Sequence, residues 1–231
     1  MRVFLTGATG YLGRALGAAL VIRGHTVRGL VRPGSEERLP AGVLAVPGNP
    51  LDARTFDGAL GADDTVVHLV GTPHPGPGKS AAFEAVDWVS IRETVTACCR
   101  ARVAHLVYVS VAHPAPVMRD YIAVRQRGEA LIADAGLSAT ILRPWYVLGP
   151  GHRWPHLLRP VYVLASLVPA LGPSAERLGL VTLAEMTNAL VQAVESGPPG
   201  SARHIDVPAI RRARIDHPLP PVPSPARDGR P

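Results

Sequence analysis

TGATGYLGRAL, residues 6–16, follows the apolar run VFL and opens a stretch with helical spacing. It places Gly7, Gly10 and Gly13 in a turn between a predicted strand and a predicted helix. In this setting one glycine permits the tight turn, a second lets the backbone approach a pyrophosphate, and a third allows the helix to pack closely on the strand. The free N–H groups and positive dipole end of the helix attract phosphate. The segment predicts dinucleotide binding; the alternative is a glycine turn that serves packing alone.

Apolar runs and helical periodicities alternate along most of the chain. Strands are predicted at 3–7, 25–32, 43–49, 63–71, 105–111, 138–144 and 202–208, and helices at 11–24, 81–101, 118–136 and 182–197. Alternating strands and helices indicate parallel βαβ units. The sequence therefore predicts an α/β fold with a doubly wound parallel sheet.

The alternation lapses after Pro144 and the composition changes near the carboxyl end. We expect one domain over residues 1–208, in which residues 144–200 form a small C-terminal substrate-side region. Residues 209–231 are rich in Pro and Arg and predict a disordered tail.

The chain has 231 residues and a net charge of +6, which raises the question of a nucleic-acid partner. Five Arg and two Asp lie after Pro208, so half of the excess charge belongs to the predicted tail. The other basic residues are scattered and form no stripe interleaved with aromatic residues. Nucleic-acid binding is therefore disfavoured, and a small-molecule substrate is expected.

The sequence gives little support for a disulfide-rich, membrane-spanning, metal-binding or serine hydrolase protein. Cys98 and Cys99 are adjacent and cannot build a disulfide framework, which fits a reducing cytoplasm. We expect no signal peptide and no membrane-spanning helix, although the apolar stretch 160–171 is compatible with weak contact to a membrane surface. The His and Cys spacings predict no metal site, and G-x-S-x-G is absent. A monomer or a homodimer is expected.

Two Arg residues bear on the choice of cofactor. The second predicted strand ends in VRPGS, with Arg32 where an Asp would favour NAD, and Arg14 follows the third glycine. Arg pairs bidentately with a phosphate group, so NADP(H) is favoured over NAD(H). The alternative is that both are solvated surface residues.

TGATGYLG, the YVS of the fifth strand, Tyr121 on the next helix, and TILRP followed by LGPG together resemble a known superfamily. The resemblance is to extended and atypical short-chain dehydrogenases/reductases, especially the NAD(P)H-binding, epimerase-like and NmrA-like members. It spans residues 1 to about 208. It implies a Rossmann-like sheet of about seven strands with helices on both faces, and a substrate over the carboxyl edge of the sheet.

The resemblance also implies residue roles. Tyr121 would be the acid/base, with Arg125 in the position of the usual Lys, and Ser110 would bond the substrate carbonyl. Cofactor-binding positions would be Gly7, Thr9, Gly10, Tyr11, Leu12, Gly13, Arg14, Arg32, Asp52, His68, Val70, Gly71 and Arg125. The His68–Gly71 segment would line the cofactor through its backbone, and the His68 side chain is interpreted as a core histidine with satisfied hydrogen bonds rather than as a catalytic group.

Arg125 replaces the usual Lys one turn after Tyr121, and Lys79 is the single Lys of the chain. Lowering the pKa of a Tyr from about 10 to near 8 requires about 2.7 kcal/mol. A positive charge about 4 Å away supplies up to about 4 kcal/mol at an effective dielectric constant near 20. Arg therefore meets the charge requirement, but its planar, bulky head is not geometrically equivalent to an ammonium.

The segment after the sixth strand gathers aromatic and basic side chains. Ligands of open α/β sheets bind beyond the carboxyl ends of the strands, so this segment predicts a substrate site. The candidate residues are Arg143, Trp145, Tyr146, His152 and Arg153. The alternative is a hydrophobic cluster under a long loop.

Three functions remain open from the sequence. The first is an NAD(P)-dependent oxidoreductase or epimerase acting on a small carbonyl or sugar-like substrate. The second is a non-catalytic, NmrA-like sensor of NADP(H). The third is an accessory subunit near a quinone- or lipid-handling complex.

Overall fold

The computed structural model describes residues 1–148 and 178–215. Within these ranges the centre of the protein is a seven-stranded sheet in which every neighbouring pair is parallel. The strands, with two further short ones, are β1 (Arg2–Thr6), β2 (Thr26–Val31), β3 (Leu44–Pro47), β4 (Asp64–His68), β5 (His105–Val109), β6 (Ala139–Arg143), β7 (Tyr146–Leu148), β8 (Leu180–Thr182) and β9 (Ala202–Asp206). The sheet order is β3-β2-β1-β4-β5-β6-β9, so the order reverses between β1 and β4.

Helices cover both faces of the sheet, as the strand–helix alternation predicts. The helices are α1 (Tyr11–Ile22), α2 (Ser80–Ala82), α3 (Val89–Ala101), α4 (Arg119–Asp134), α5 (Leu183–Glu195) and α6 (Val207–Arg212). Alternate residues of each strand point to opposite faces. Val3 and Leu5 pack in the cluster with α1 and α5, whereas Phe4 packs in the cluster with α3 and α4. The predicted doubly wound, Rossmann-like fold is confirmed.

The long predicted helix at 81–101 is not uniform. A π-helical segment, Phe83–Trp88, joins α2 to α3. Such wider turns change which side chains face inward, and they occur frequently at functional sites. Phe83 and Asp87 are the buried residues of this segment.

Two features near the carboxyl end differ from the sequence-based expectations. β7 and β8 pair in parallel as a separate two-stranded sheet that strand patterning did not reveal, because each strand has only three residues. Helix α6 crosses the boundary predicted at residue 208, so the tail start at Ala209 is placed too early. Val207, Ile210 and Ala213 recur every third position and are buried, which holds this segment on the core.

No helix in the ranges 1–148 and 178–215 combines the length and apolar character needed to cross a bilayer. The predicted tail beyond residue 215 lies outside the described residues.

Candidate functional site

The glycine turn lies where the order of the strands reverses. Gly7 follows β1 with a φ of +75°, and a Cβ at Gly7 would come within 3.0 Å of the Leu69 backbone just after β4. A Cβ at Gly13 would lie 2.2 Å from the Gly7 carbonyl oxygen. Both glycines are therefore required by close backbone contacts. Ligands of open α/β sheets bind in the crevice at this reversal.

The amino end of α1 suits a pyrophosphate. Gly10 is the N-cap, no side chain caps the helix, and Gly10 itself is exposed. The N–H groups of a first helical turn lack intrahelical partners and bind anions. Thr9, Tyr11 and Leu12 lie in the same turn and are partly buried. The turn therefore fits the phosphates of a dinucleotide.

The positions expected around the adenosine half differ in their surroundings. Arg32 directly follows β2 and is exposed, as is Arg14 on the first turn of α1. Within the described part of the chain, neither guanidinium forms an ion pair. Asp52 caps the short turn Ala53–Thr55 and accepts hydrogen bonds from the Arg54 side chain. Those bonds hold the pKa of Asp52 below its ordinary value.

His68 has a fully buried side chain. Its Nδ1 lies 2.9 Å from the hydroxyls of both Thr6 and Thr94, and its Nε2 lies 3.4 Å from the Ser90 hydroxyl. Burial lowers the pKa of His68 to about 3. The side chain is thus a neutral core histidine with hydrogen-bond partners, and a contact between the cofactor and the backbone of this segment stays a prediction.

Helix α4 carries three polar side chains on one face. Tyr121, Arg125 and Glu129 are each four residues apart and so lie one above another on a single helical face. Gly128 on this helix lets Tyr108 approach, since a Cβ there would lie 2.7 Å from the Tyr108 hydroxyl. Each of the three side chains has a different environment.

Tyr121 lines a cavity of about 720 Å³ at the carboxyl edge of the sheet. Its ring lies 5.1 Å from that of Phe83. The predicted substrate residues Trp145 and Tyr146 line the same cavity and contact each other edge to face at 5.6 Å. The remaining described lining residues are Pro75, Gly76, Pro77, Gly78, Ser80, Val117, Met118, Arg119 and Asp120. The site is mostly apolar, with one tyrosine hydroxyl on the helix that carries Arg125.

Arg125 occupies the position of the usual Lys, but its charge is already paired. Its Nη2 donates to Asp87 Oδ1 at 2.6 Å, and its Nη1 donates to the Val109 carbonyl at 3.0 Å. The guanidinium carbon lies 5.1 Å from the Tyr121 ring centre and 5.9 Å from that of Tyr108. Only 7% of the Arg125 side chain is exposed. Arg125 is therefore fixed between two tyrosine rings.

The pKa of Tyr121 rises above its ordinary value of 10. Burial is the main cause, and the charge of Asp87 acts in the same direction, whereas Arg125 acts in the opposite one. The Tyr121 hydroxyl is consequently protonated at neutral pH. In this state it can donate a proton.

Ser110 and Arg143 meet at Glu129 rather than in the cavity. The Ser110 hydroxyl donates to Glu129 Oε1 at 2.5 Å, and Arg143 donates to both carboxylate oxygens. His113 and His204 approach the same carboxylate at 3.6 and 3.7 Å. Burial raises the pKa of Glu129, but the hydrogen bonds from Arg143 and Ser110 outweigh this effect and hold the pKa below its ordinary value. Neither Ser110 nor Arg143 is among the described residues that line the cavity.

No sequence motif described above includes Asp87 or Glu129. Glu129 continues the spacing of four that begins at Tyr121, and this spacing was a usable signal. Asp87 begins a polar series with Ser90 and Thr94 on the buried face of the helix. A polar series facing a core signals a hydrogen-bonded site. Two further predicted substrate residues, His152 and Arg153, lie outside the described residues.

The described residues hold no group of three or more His, Cys, Asp or Glu side chains arranged to ligate a metal ion. The described lining of the cavity offers the Tyr121 hydroxyl as a proton donor, and the glycine turn and the amino end of α1 separately offer N–H groups to phosphates.

The parallel sheet and the glycine turn at its reversal point define a Rossmann-like fold of the kind that binds dinucleotides. The chain belongs to the family described as NAD(P)H-binding, whose model matches residues 7–152.

Curated relatives with reductase names match the chain. A 4-hydroxy-2-methyl-3-oxo-4-farnesyl-3,4-dihydroquinoline-1-oxide ketoreductase from Stigmatella aurantiaca is 27% identical over 171 residues, covering 64% of this chain and 51% of that protein. A 3-diazoavenalumate denitrifying reductase from a Streptomyces species is 28% identical over 230 residues, covering 87% of this chain and 74% of that protein. The chain thus spans about half the length of the ketoreductase.

Among solved structures, the Bordetella bronchiseptica enzyme WbmH in complex with NAD+ superposes with a TM-score of 0.64 at 22% identity. The match covers 89% of this chain and 75% of that one. At this identity the similarity shows a shared fold.

Proposed function

We propose that the chain is an NAD(P)-dependent reductase of a ketone that carries a sizeable apolar group. The observation that carries this proposal is the position of Tyr121, whose hydroxyl-bearing ring lines an aromatic cavity beside the buried Arg125. The bound nicotinamide would supply the hydride. Tyr121, protonated at neutral pH, would donate the proton to the carbonyl oxygen.

The lining of the cavity supports an apolar substrate over a sugar nucleotide. Phe83, Trp145, Met118 and Val117 offer dispersion contacts, and among the described lining residues the charged ones are Arg119 and Asp120. The diphosphate of a sugar nucleotide requires several positive or N–H donors. The farnesyl group in the name of the ketoreductase relative also favours an apolar ketone.

The test is steady-state oxidation of NADPH and NADH with a panel of aryl and long-chain alkyl ketones and with UDP-glucose. We expect turnover with apolar ketones and a decrease in kcat of at least about 100-fold in Tyr121→Phe, the usual contribution of a positioned proton donor. Tyr146→Phe removes a hydroxyl from the same cavity and should keep kcat within a few fold. Equal kcat in Tyr121→Phe and in the unsubstituted protein would reject Tyr121 as the donor.

We also propose that the preferred cofactor is NADP(H). Arg32 is exposed at the end of β2 and has no ion pair in the described part of the chain, so its guanidinium is available for a 2′-phosphate. Fluorescence titration should give tighter binding of NADPH than of NADH. Arg32→Ala should remove that difference; equal affinities before the substitution would exclude this role for Arg32.

A second candidate function is a cofactor sensor without turnover. It is favoured by the engagement of Ser110 with Glu129, which leaves the expected carbonyl-binding hydroxyl outside the cavity. NADPH binding with no turnover across the ketone panel would support the sensor. Turnover that depends on Tyr121 would support the reductase.

A further inference from the structure

Asp87 lies at the centre of the hydrogen bonds beneath the cavity. It is 1% exposed, and both of its carboxylate oxygens are engaged. Oδ1 accepts from Arg125 at 2.6 Å, and Oδ2 accepts from the Thr72 N–H at 2.9 Å and the Thr72 hydroxyl at 2.6 Å. One carboxylate thus connects helix α4 to the turn that follows β4.

The surrounding backbone is shaped around this ion pair. A Cβ at Gly71 would lie 2.2 Å from Arg125 Nη2 and 3.1 Å from Asp87 Oδ1. Gly71 therefore leaves the space that the guanidinium and carboxylate fill. Asp87 itself reaches this point from the π-helical segment Phe83–Trp88, whose wider turn also directs Phe83 against Tyr121.

We propose that Asp87 is the positioning residue of this active site. It fixes the Arg125 guanidinium against the Tyr121 ring, neutralises its charge, and ties the Gly71–Thr72 turn to helix α4. Asp87 does not touch the cavity, so its action on the reaction passes through Arg125 and Tyr121. The mechanistic part of this inference rests on the proposed role of Tyr121 as proton donor.

The charge compensation distinguishes this pair from an isolated cation. An unpaired positive charge near a phenol stabilises the phenolate, whereas a buried ion pair of similar geometry has little net field at the hydroxyl. Among the described residues, the titratable groups facing Tyr121 are Arg125 on its own helix, Asp87 on the π-helical segment and Tyr108 on β5. Asp87 therefore adds to the effect of burial, which holds the pKa of Tyr121 above its ordinary value.

The test measures the ionisation of Tyr121 directly in the full chain, without cofactor or substrate. Labelling tyrosine at the ring carbon that bears the hydroxyl gives one NMR signal for each of the five tyrosines, and Tyr121→Phe identifies the signal of Tyr121. The proteins compared are the unsubstituted chain, Asp87→Asn, Arg125→Met and the double variant. Glu84→Gln is the matched control, since it removes an exposed ion pair with Arg127 between the same two elements.

We expect Asp87→Asn to lower the pKa of Tyr121 by about one unit or more, because the Arg125 charge is then uncompensated. Arg125→Met should raise it, and the double variant should return it close to the original value. Glu84→Gln should leave it unchanged. An Asp87→Asn protein that titrates like the unsubstituted chain would overturn the proposal.

Asp87→Asn leaves a buried unpaired guanidinium and can fail to fold. The comparison then uses Arg125→Met and the double variant, which carries no buried charge from this pair. The pKa of Tyr121 should be lower in the double variant than in Arg125→Met, and equal values would refute the role of Asp87. These titrations do not measure turnover. If they give the expected pKa values and Tyr121→Phe keeps its activity, the proposed function is rejected while the role of Asp87 stands.

Discussion

At the scale of single residues, the glycine turn shows how one missing side chain permits a binding site. Gly13 is buried, and the space that its Cβ would occupy is already taken by the Gly7 carbonyl and the Ala8 backbone, at 2.2 to 2.9 Å. These neighbours are backbone atoms and cannot rotate away. The first turn of α1 can approach β1 only because residue 13 is glycine.

We predict that Gly13→Ala destabilises the protein by about 1–3 kcal/mol, the usual cost of forcing atoms into a filled space. The shift of α1 should also weaken binding of NADPH at least about tenfold, because the N–H groups move away from the phosphates. Urea unfolding and fluorescence titration measure the two effects. Gly58→Ala is the control, since a Cβ there meets no atom within 4 Å; similar losses in both variants would contradict the explanation.

The environment of Arg125 depends on a partner that is distant in the sequence. The sequence shows that an Arg replaces the expected Lys four residues after Tyr121, and the charge of Arg is sufficient for that role. The sequence does not show that Asp87, 38 positions earlier, takes up that charge. Burial, together with the charge of Asp87, therefore raises the pKa of Tyr121, and Arg125 does not lower it below its ordinary value.

At the scale of elements, the alignment of side chains along helix α4 follows from helical geometry alone. A spacing of four residues places Tyr121, Arg125 and Glu129 on one face, and this much follows from the sequence. Their partners come from the end of β5, from β6 and from the π-helical segment, which are separate stretches of the sequence. The interruption of the long helix at Phe83–Trp88 had no recognisable sequence signal of the Pro or Gly kind.

Helix α5 has a defined start that can be tested. The Thr182 hydroxyl accepts from the Glu185 N–H at 3.2 Å, and Glu185 Oε2 accepts from the Thr182 N–H at 2.7 Å, which together form a capping box. We predict that Thr182→Ala lowers the free energy of unfolding by about 1 kcal/mol. Urea unfolding measures the change.

Thr96→Ala is the control for the capping prediction. The Thr96 hydroxyl donates to the Arg92 carbonyl in the middle of α3 and is exposed, so Ala should be neutral or slightly stabilising there. Equal destabilisation by Thr96→Ala and Thr182→Ala would mean that the capping box contributes nothing specific.

At the scale of the whole molecule, two buried histidines link stability to pH. Burial lowers the pKa of His68 to about 3 and that of His105 to about 4. When the pH is below 6.5, the ordinary pKa of histidine, these two side chains bind protons in the unfolded chain but stay neutral in the folded protein. The stabilisation from these neutral side chains is complete above pH 6.5 and is lost as pH falls toward 4 and 3.

We predict that the free energy of unfolding falls by about 3 kcal/mol between pH 6.5 and pH 5 from these two histidines together. Urea unfolding at several pH values measures the slope. His105→Asn should remove about half of the loss, whereas an unchanged slope in that variant would assign the acid sensitivity to other groups.

The sequence by itself determined the architecture, because periodicities of two and 3.6 residues and the glycine spacing act locally along the chain. It also placed Tyr121 and Arg125 one helical turn apart. The boundaries predicted from the sequence were less exact near the carboxyl end. The strands there have three residues and the helix has six, which is too few to show a periodic pattern.

Only the tertiary structure decided which charges meet. Ser110 follows β5 and Arg143 ends β6, yet both donate to Glu129, and Asp87 joins Arg125 to the turn after β4. These contacts arise where the carboxyl ends of neighbouring parallel strands come together, across separations of 14 to 38 residues. Hydrogen bonds and charge compensation depend on distances of a few ångströms between such groups, and those distances are fixed by the packing of helices on the sheet.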